Sequence, residues 1–212
     1  MARCRRIFGQ RRIGHAGTLD PDATGVLLVG LGRATRLMRW LTMLPKSYDG
    51  ELVLGTETST LDSSGDVVAV HDMGAVSLDD VRVAAAALVG EIDQVPPMVS
   101  AVKVGGRRLH SLARQGITVE REPRRVTVHR FEVAEGPEAG VFAIAVECSS
   151  GTYVRTLAAD VGTALGGGAH LRNLRRTAIG AFSVGEATSL DRLEDVGRDA
   201  VLAPSAAVAH LD

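Results

Sequence analysis

A chain of 212 residues with 45% apolar residues can bury a substantial core, as one large domain or two small ones. Its two cysteines, Cys4 and Cys148, lie far apart without C-x-x-C spacing, so neither a disulfide framework nor a zinc site is indicated. Net charge is −1, which argues against a uniformly basic nucleic-acid binder, but the charge is sorted along the chain. Residues 1–12 hold five arginines and no acid; residues 103–130 hold eight Lys and Arg against two Glu; residues 57–93 hold eight acids against Arg82 alone. Such sorting can build a basic face for a phosphate backbone opposite an acidic one, with ordinary solvated faces as the plain alternative. No apolar run approaches the ~20 residues that span a bilayer, and the basic N-terminus MARCRRIFGQ lacks the apolar segment of a secretory signal. A soluble, cytoplasmic chain is expected.

In chain order, the first patterned stretch is GHAGTLDPDATGVL at 14–27. Pro21 pushes Asp20 out of the α region, and Gly17 and Gly25 permit sharp turns on either side, so Asp20 is expected in a shaped loop. The run ATGVLLVGLGRATRLMRWL reads as a helix, with Asp20 or Asp22 as its N-cap. YDGELVL at 48–54 alternates as a half-buried strand, and VVAVH at 67–71 reads as its hairpin partner across an acidic loop. Ser77, Asp79 and Asp80 cap and charge the start of the alanine-rich helix VRVAAAALVG. Residues 96–116 read as an exposed insertion with a short helix near 108–115. RRVTVHRFEVAE and VFAIAVECS alternate at period 2 and should pair antiparallel. VRTLAADVGTAL is helical, AFSVGEA strand-like, and a weak terminal helix closes the chain. This order argues for an α+β fold on a largely antiparallel sheet.

Asp20 and Asp22 could form a carboxylate dyad of glycosidase type, although an i, i+2 pair in one loop usually diverges. His15 could act as a base or be a packed residue. In CSSGTYVRT at 148–156, Tyr153 offers a flat face suited to stacking a base, and Arg155 a fork that pairs bidentately with a carboxylate. Taken singly, each also fits a structural role: a core aromatic at a strand end and a surface arginine.

Together these stretches resemble the TruB family of tRNA pseudouridine synthases. GHAGTLDPDATGVL is similar to the family's signature loop, KSYDGELVLGTETSTLDSSGDV to its second motif, GEIDQVPPMVSAVKVGGRRLHSLARQG to its RNA-gripping insertion, and CSSGTYVRTLAADVGTALGGGAHLRNLRRTAIGAFSV to its third. The resemblance implies a pseudouridine synthase fold with one catalytic domain over residues 1–205, an insertion at about 96–122 and a tail at 206–212. It implies Asp20 as the catalytic aspartate and Arg155 as the arginine that pairs with it and keeps it ionised. It implies His15, Tyr48, Tyr153 and Leu174 as substrate-binding residues: Tyr48 stacks on the flipped uracil and Leu174 closes the pocket. The implied reaction isomerises a uridine in the T-loop of tRNA, with no metal or organic cofactor, in a monomer. The Arg-rich 103–130 segment, with Arg175 and Arg176, is expected to hold RNA phosphates. Against the family pattern the chain is expected to lack the usual K-P-x-G-x-T/S strand and the PUA domain, and it carries His110 and Asp22 where a tyrosine and an apolar residue are common. A tRNA-binding or tRNA-folding module with impaired catalysis is the second reading.

Overall fold

The computed structural model describes residues 1–100, 102–109, 112 and 115–209. The chain forms two compact units, Met1–Ser47 with Arg176–Asp212, and Tyr48–Arg175.

The second unit is built on a sheet with strand order Ala169–Ile179, Lys46–Leu54, Val141–Cys148, Arg124–Glu135, Gly90–Gln94. The two strands that alternate most clearly in sequence, Arg124–Glu135 and Val141–Cys148, do pair antiparallel. Their register shifts between Val128 and Arg130, and the one-residue bulge changes the parity of the buried face. Val126 and Val128 point inward before it, Phe131 and Val133 after it. The helix Leu78–Ala86 packs on the Arg124–Glu135 strand and against the helix Val154–Ala164. Its start has the expected cap: the Ser77 hydroxyl accepts from the Asp80 N–H, and the Asp80 carboxylate accepts from the Ser77 N–H. Leu52, Val81, Val128, Val146, Leu157 and Val161 lie at the centre of one apolar cluster, each worth about 1.5–3 kcal/mol of burial.

One expected pairing is overturned. The strand Val67–Val70 pairs with Thr56–Thr58 and not with the Lys46–Leu54 strand, because the chain turns at Gly55 and begins a separate two-stranded ribbon. The strand Ala169–Ile179 carries no sequence alternation that announced it. Four residues of the expected short helix near 108–115, His110 among them, lie outside the described residues; Leu109 and Leu112 are helical and buried.

In the first unit, the expected helix over 23–41 is largely strand. Ile13–Ala16 pairs antiparallel with Leu28–Leu31, placing His15 opposite Val29, and a long loop joins these arms. A run such as VLLVGL fits strand or helix equally by apolarity, and left-handed glycines at 25 (φ 105°) and 32 (φ 57°) break helical continuity. Helix survives only as the 3₁₀ turn Gly32–Arg36 and the single turn Met38–Leu41. Neither Asp20 nor Asp22 is therefore an N-cap. The C-terminal part of the Ala169–Ile179 strand pairs with Phe182–Ser183 and with Thr24–Gly25. An N-terminal helix, Ala2–Phe8, is tied to the helix Leu190–Val196 by Arg3 and Arg6 on Glu194 (2.8 and 3.0 Å) and Arg3 on Asp191 (2.9 Å). Two of the five N-terminal arginines are thus engaged in ion pairs at the protein surface.

Candidate active site

Asp20 lies within the loop between the Ile13–Ala16 and Leu28–Leu31 arms. Its main-chain carbonyl accepts from the Ala23 N–H at 3.1 Å, closing a turn around Pro21, and its side chain is half-buried while Asp22 is exposed. The base of the loop is fixed by the next strand. The Val26 N–H donates to the Arg176 carbonyl at 2.9 Å, and the Arg176 guanidinium donates back to the Val26 carbonyl at 2.7 Å. A Cβ on Gly25 would collide with the Arg176 main chain, so this close crossing requires glycine. Arg176 is buried, at 1% exposure, and its acceptors are main-chain carbonyls. The expectation that it faces RNA phosphate is wrong: along the strand Arg175 is exposed, and the alternation of side chains sends its neighbour inward. The ring of His15 sits on the adjoining strand, and its Nδ1 is buried with no hydrogen-bond partner among the described residues.

In the second unit, Tyr153 is the N-cap of the helix Val154–Ala164 and Arg155 is its second residue. The strand Val141–Cys148 leads into them through a turn fastened by Ser149, whose N–H donates to the Thr127 carbonyl and whose hydroxyl accepts from the Thr127 N–H. The helix start is clamped by Gln94, buried at 3% exposure. Its amide oxygen accepts from the Tyr153 N–H at 2.7 Å and its amide nitrogen donates to the Tyr153 carbonyl at 3.1 Å. Arg155, expected as a surface residue in its plain reading, is 3% exposed. It donates to the Thr60 carbonyl (2.8 Å) and the Val99 carbonyl (2.9 Å), and Asp62 lies 3.4 Å from it. Asp62 is itself locked: its Oδ1 accepts from Thr60 Oγ1 and from the N–H and hydroxyl of Ser64. The preceding Leu61 holds φ at 63°, a backbone cost of order 1–3 kcal/mol, kept in place by bonds of Leu61 and Ser63 to Leu171. Tyr48 and Leu174 pack, half-buried, against the unit's core.

The expected residues thus divide between the units: His15 and Asp20 in the first, Tyr48, Tyr153, Arg155 and Leu174 in the second. Sequence reasoning missed Asp62, Gln94 and the structural use of Arg176. Asp62 had a signal, since Thr60 and Ser64 at i−2 and i+2 are the residue types that fold around a carboxylate. Gln94 and Arg176 had none, because their partners are main-chain groups distant in sequence. The basic segment is also less free than its charge suggested: Arg125 binds Asp93 (2.9 Å) and Glu91 (3.3 Å). Among the described residues no cluster of His, Cys, Asp and Glu could hold a metal, and no helix is long and apolar enough to cross a membrane.

Residues 5–154 match the TruB family pseudouridylate synthase N-terminal domain, and residues 155–205 match the tRNA pseudouridylate synthase B C-terminal domain. The chain belongs to the TruB family. It is 53% identical over 201 residues to tRNA pseudouridine synthase B of Mycobacterium sp. (strain KMS), covering 93% of this chain and 68% of the relative. Against the protein of that name from Rhodococcus jostii (strain RHA1) it is 48% identical over 199 residues, 92% of this chain and 65% of the relative. Among solved structures, a Cbf5-Nop10-Gar1 complex contains a chain that superposes with a TM-score of 0.76 at 31% identity, covering 99% of this chain and 57% of that one. As a TruB-family chain, this protein has the mixed α+β architecture of a pseudouridine synthase.

Proposed function

We propose that this chain isomerises a specific uridine in the T-loop of tRNA to pseudouridine, acting as a cytoplasmic monomer. The reaction breaks the bond between N1 of uracil and C1′ of the ribose and forms one between C5 and C1′; C5 gives up its proton, N1 gains one, and nothing is oxidised or reduced. What supports the reading is the family match over residues 5–205, together with the turn that holds Asp20 and the strand to which the base of its loop is fixed. A base paired or stacked in an RNA loop must be everted before its glycosidic bond can be reached, which costs a few kcal/mol. Tyr48 offers a half-buried aromatic face that offsets part of this by stacking. Asp20 is the catalytic carboxylate, as nucleophile or as proton abstractor, and Arg155 is the guanidinium that keeps it anionic. Tyr153 contacts the substrate, Leu174 closes over the base, and His15 helps displace it. Exposed basic residues such as Arg175 and Arg124 meet the phosphates.

The test is tritium release from a tRNA transcript labelled at C5 of uridine, run with the wild type and Asp20→Asn. Release by the wild type is expected, with Asp20→Asn inactive and its tRNA affinity within about threefold, since the substitution removes charge and little volume. Turnover by Asp20→Asn at the wild-type rate would overturn the assignment. Tight tRNA binding without release by the wild type would favour the reading as a non-catalytic module.

A further inference from the structure

Arg176, like Arg155, differs from the exposed arginines among the described residues. It is essentially fully buried, and its guanidinium donates to main-chain carbonyls on both limbs of the Asp20 loop: Nε to Val26 (2.7 Å), Nη1 to Thr18 (3.5 Å) and Nη2 to Gly17 (3.4 Å). Its own carbonyl receives the Val26 N–H. One residue therefore ties the loop together at residues 17, 18 and 26, with Asp20 two residues beyond Thr18. Burying a guanidinium is expensive unless its donors are satisfied, and an apolar side chain would fill the same volume at lower cost. What only the guanidinium supplies is a rigid planar fork that reaches several carbonyls at once. Gly17 presents its carbonyl to the fork from a backbone at φ 83°, a conformation that favours glycine.

We infer that Arg176 is a positioning residue for the reaction: it clasps the two limbs of the signature loop and fixes the site of Asp20 without touching RNA. The inference rests on the reading of Asp20 as the catalytic carboxylate. Misplacing a reacting group by about 1 Å costs on the order of 100-fold in rate, so that is the size of effect expected when the clasp is cut.

The experiment measures single-turnover pseudouridine formation and tRNA dissociation constants for Arg176→Gln, Arg176→Lys and, as a control, Ile179→Val, a buried position on the same strand. Folding is followed by circular dichroism. Folded Arg176→Gln should lose about 100-fold in the rate of the bound complex with tRNA affinity within about threefold. Arg176→Lys, keeping the charge but not the fork, should recover part of the rate, and Ile179→Val should keep all of it. Gly25→Ala, which pushes the loop away from Arg176, should fall with Arg176→Gln. If Arg176→Gln does not fold, Arg176→Lys decides by the same two numbers. A folded Arg176→Gln, or in its place Arg176→Lys, whose bound complex reacts within about threefold of wild type overturns the proposal, as does a fall in affinity as large as the fall in rate. Asp20→Asn run alongside separates the failures: its activity would remove the underlying reading, whereas its inactivity beside an active Arg176→Gln would remove only the clasp.

Discussion

Replacing Gln94 by leucine isolates the clamp that holds the start of the Val154–Ala164 helix. The side chains are close in volume, so packing is nearly conserved and the polar contacts are what change. The Tyr153 carbonyl keeps two helical donors, the Thr156 and Leu157 N–H groups at 3.1 and 3.2 Å, and loses only the Gln94 amide. The Tyr153 N–H loses its 2.7 Å acceptor. An orphaned buried donor costs about 1–3 kcal/mol and the lost amide bond about 0.5–1.5 kcal/mol, while the leucine recovers some apolar burial, so the net loss is about 2–3 kcal/mol. With a urea dependence of ~2 kcal/mol per molar, the unfolding midpoint of the variant should drop by about 1 M. Because Tyr153 and Arg155 ride on this helix start, pseudouridine formation by the folded variant should also slow. A midpoint unchanged within 0.2 M (about 0.4 kcal/mol) would show that water satisfies the Tyr153 N–H and that the clamp is not needed.

Tyr48→Ala should weaken the complex with everted uridine by roughly 1–3 kcal/mol, the range of base–aromatic stacking; fluorescence of a 2-aminopurine placed beside the target base reads this, and unchanged affinity and rate remove Tyr48 from the site. Asp62→Ala takes one carboxylate away from the buried Arg155 guanidinium and should destabilise the protein by about 3 kcal/mol, the low end for breaking a buried pair because Asp62 is partly open to solvent; a thermal melt within one degree of wild type contradicts this. Burial raises the Asp160 carboxyl to about 6 from 3.8, so the folded state holds its proton more tightly than the unfolded state does. Stability from this group is therefore intact below pH 3.8, declines as pH rises to 6 and stays lower above it. Asp160→Asn should gain on the order of 1 kcal/mol over wild type above pH 6 after allowance for solvent screening, and the gain should vanish toward pH 4. A gain independent of pH would place the cause elsewhere.

Much of the sheet and both packed helices were legible, for local reasons. Period-2 alternation in 124–135 and 141–148, and the Ser77 cap before an alanine-rich run, are signals carried within a few residues. The bulge after Val128 was not legible, since one inserted residue leaves the composition of the strand unchanged while exchanging its faces. The run after Asp20 was misread because glycine-spaced leucines and valines satisfy both periods. Only pairing with Ile13–Ala16 selects the strand. Similarity of motif placed the chain in its family.

By itself the sequence determined which short segments could bury one face, where Pro21 and the glycines bend the chain, and which reactive side chains were present. Tertiary structure decided how those side chains are spent. Arg155 and Arg176 look like any other arginines in a basic stretch, yet both are buried, one on two carbonyls and a carboxylate, the other on the base of the Asp20 loop. An arginine's charge is a local property, but its burial depends on acceptors supplied by distant segments, and those meet it only when the chain has folded.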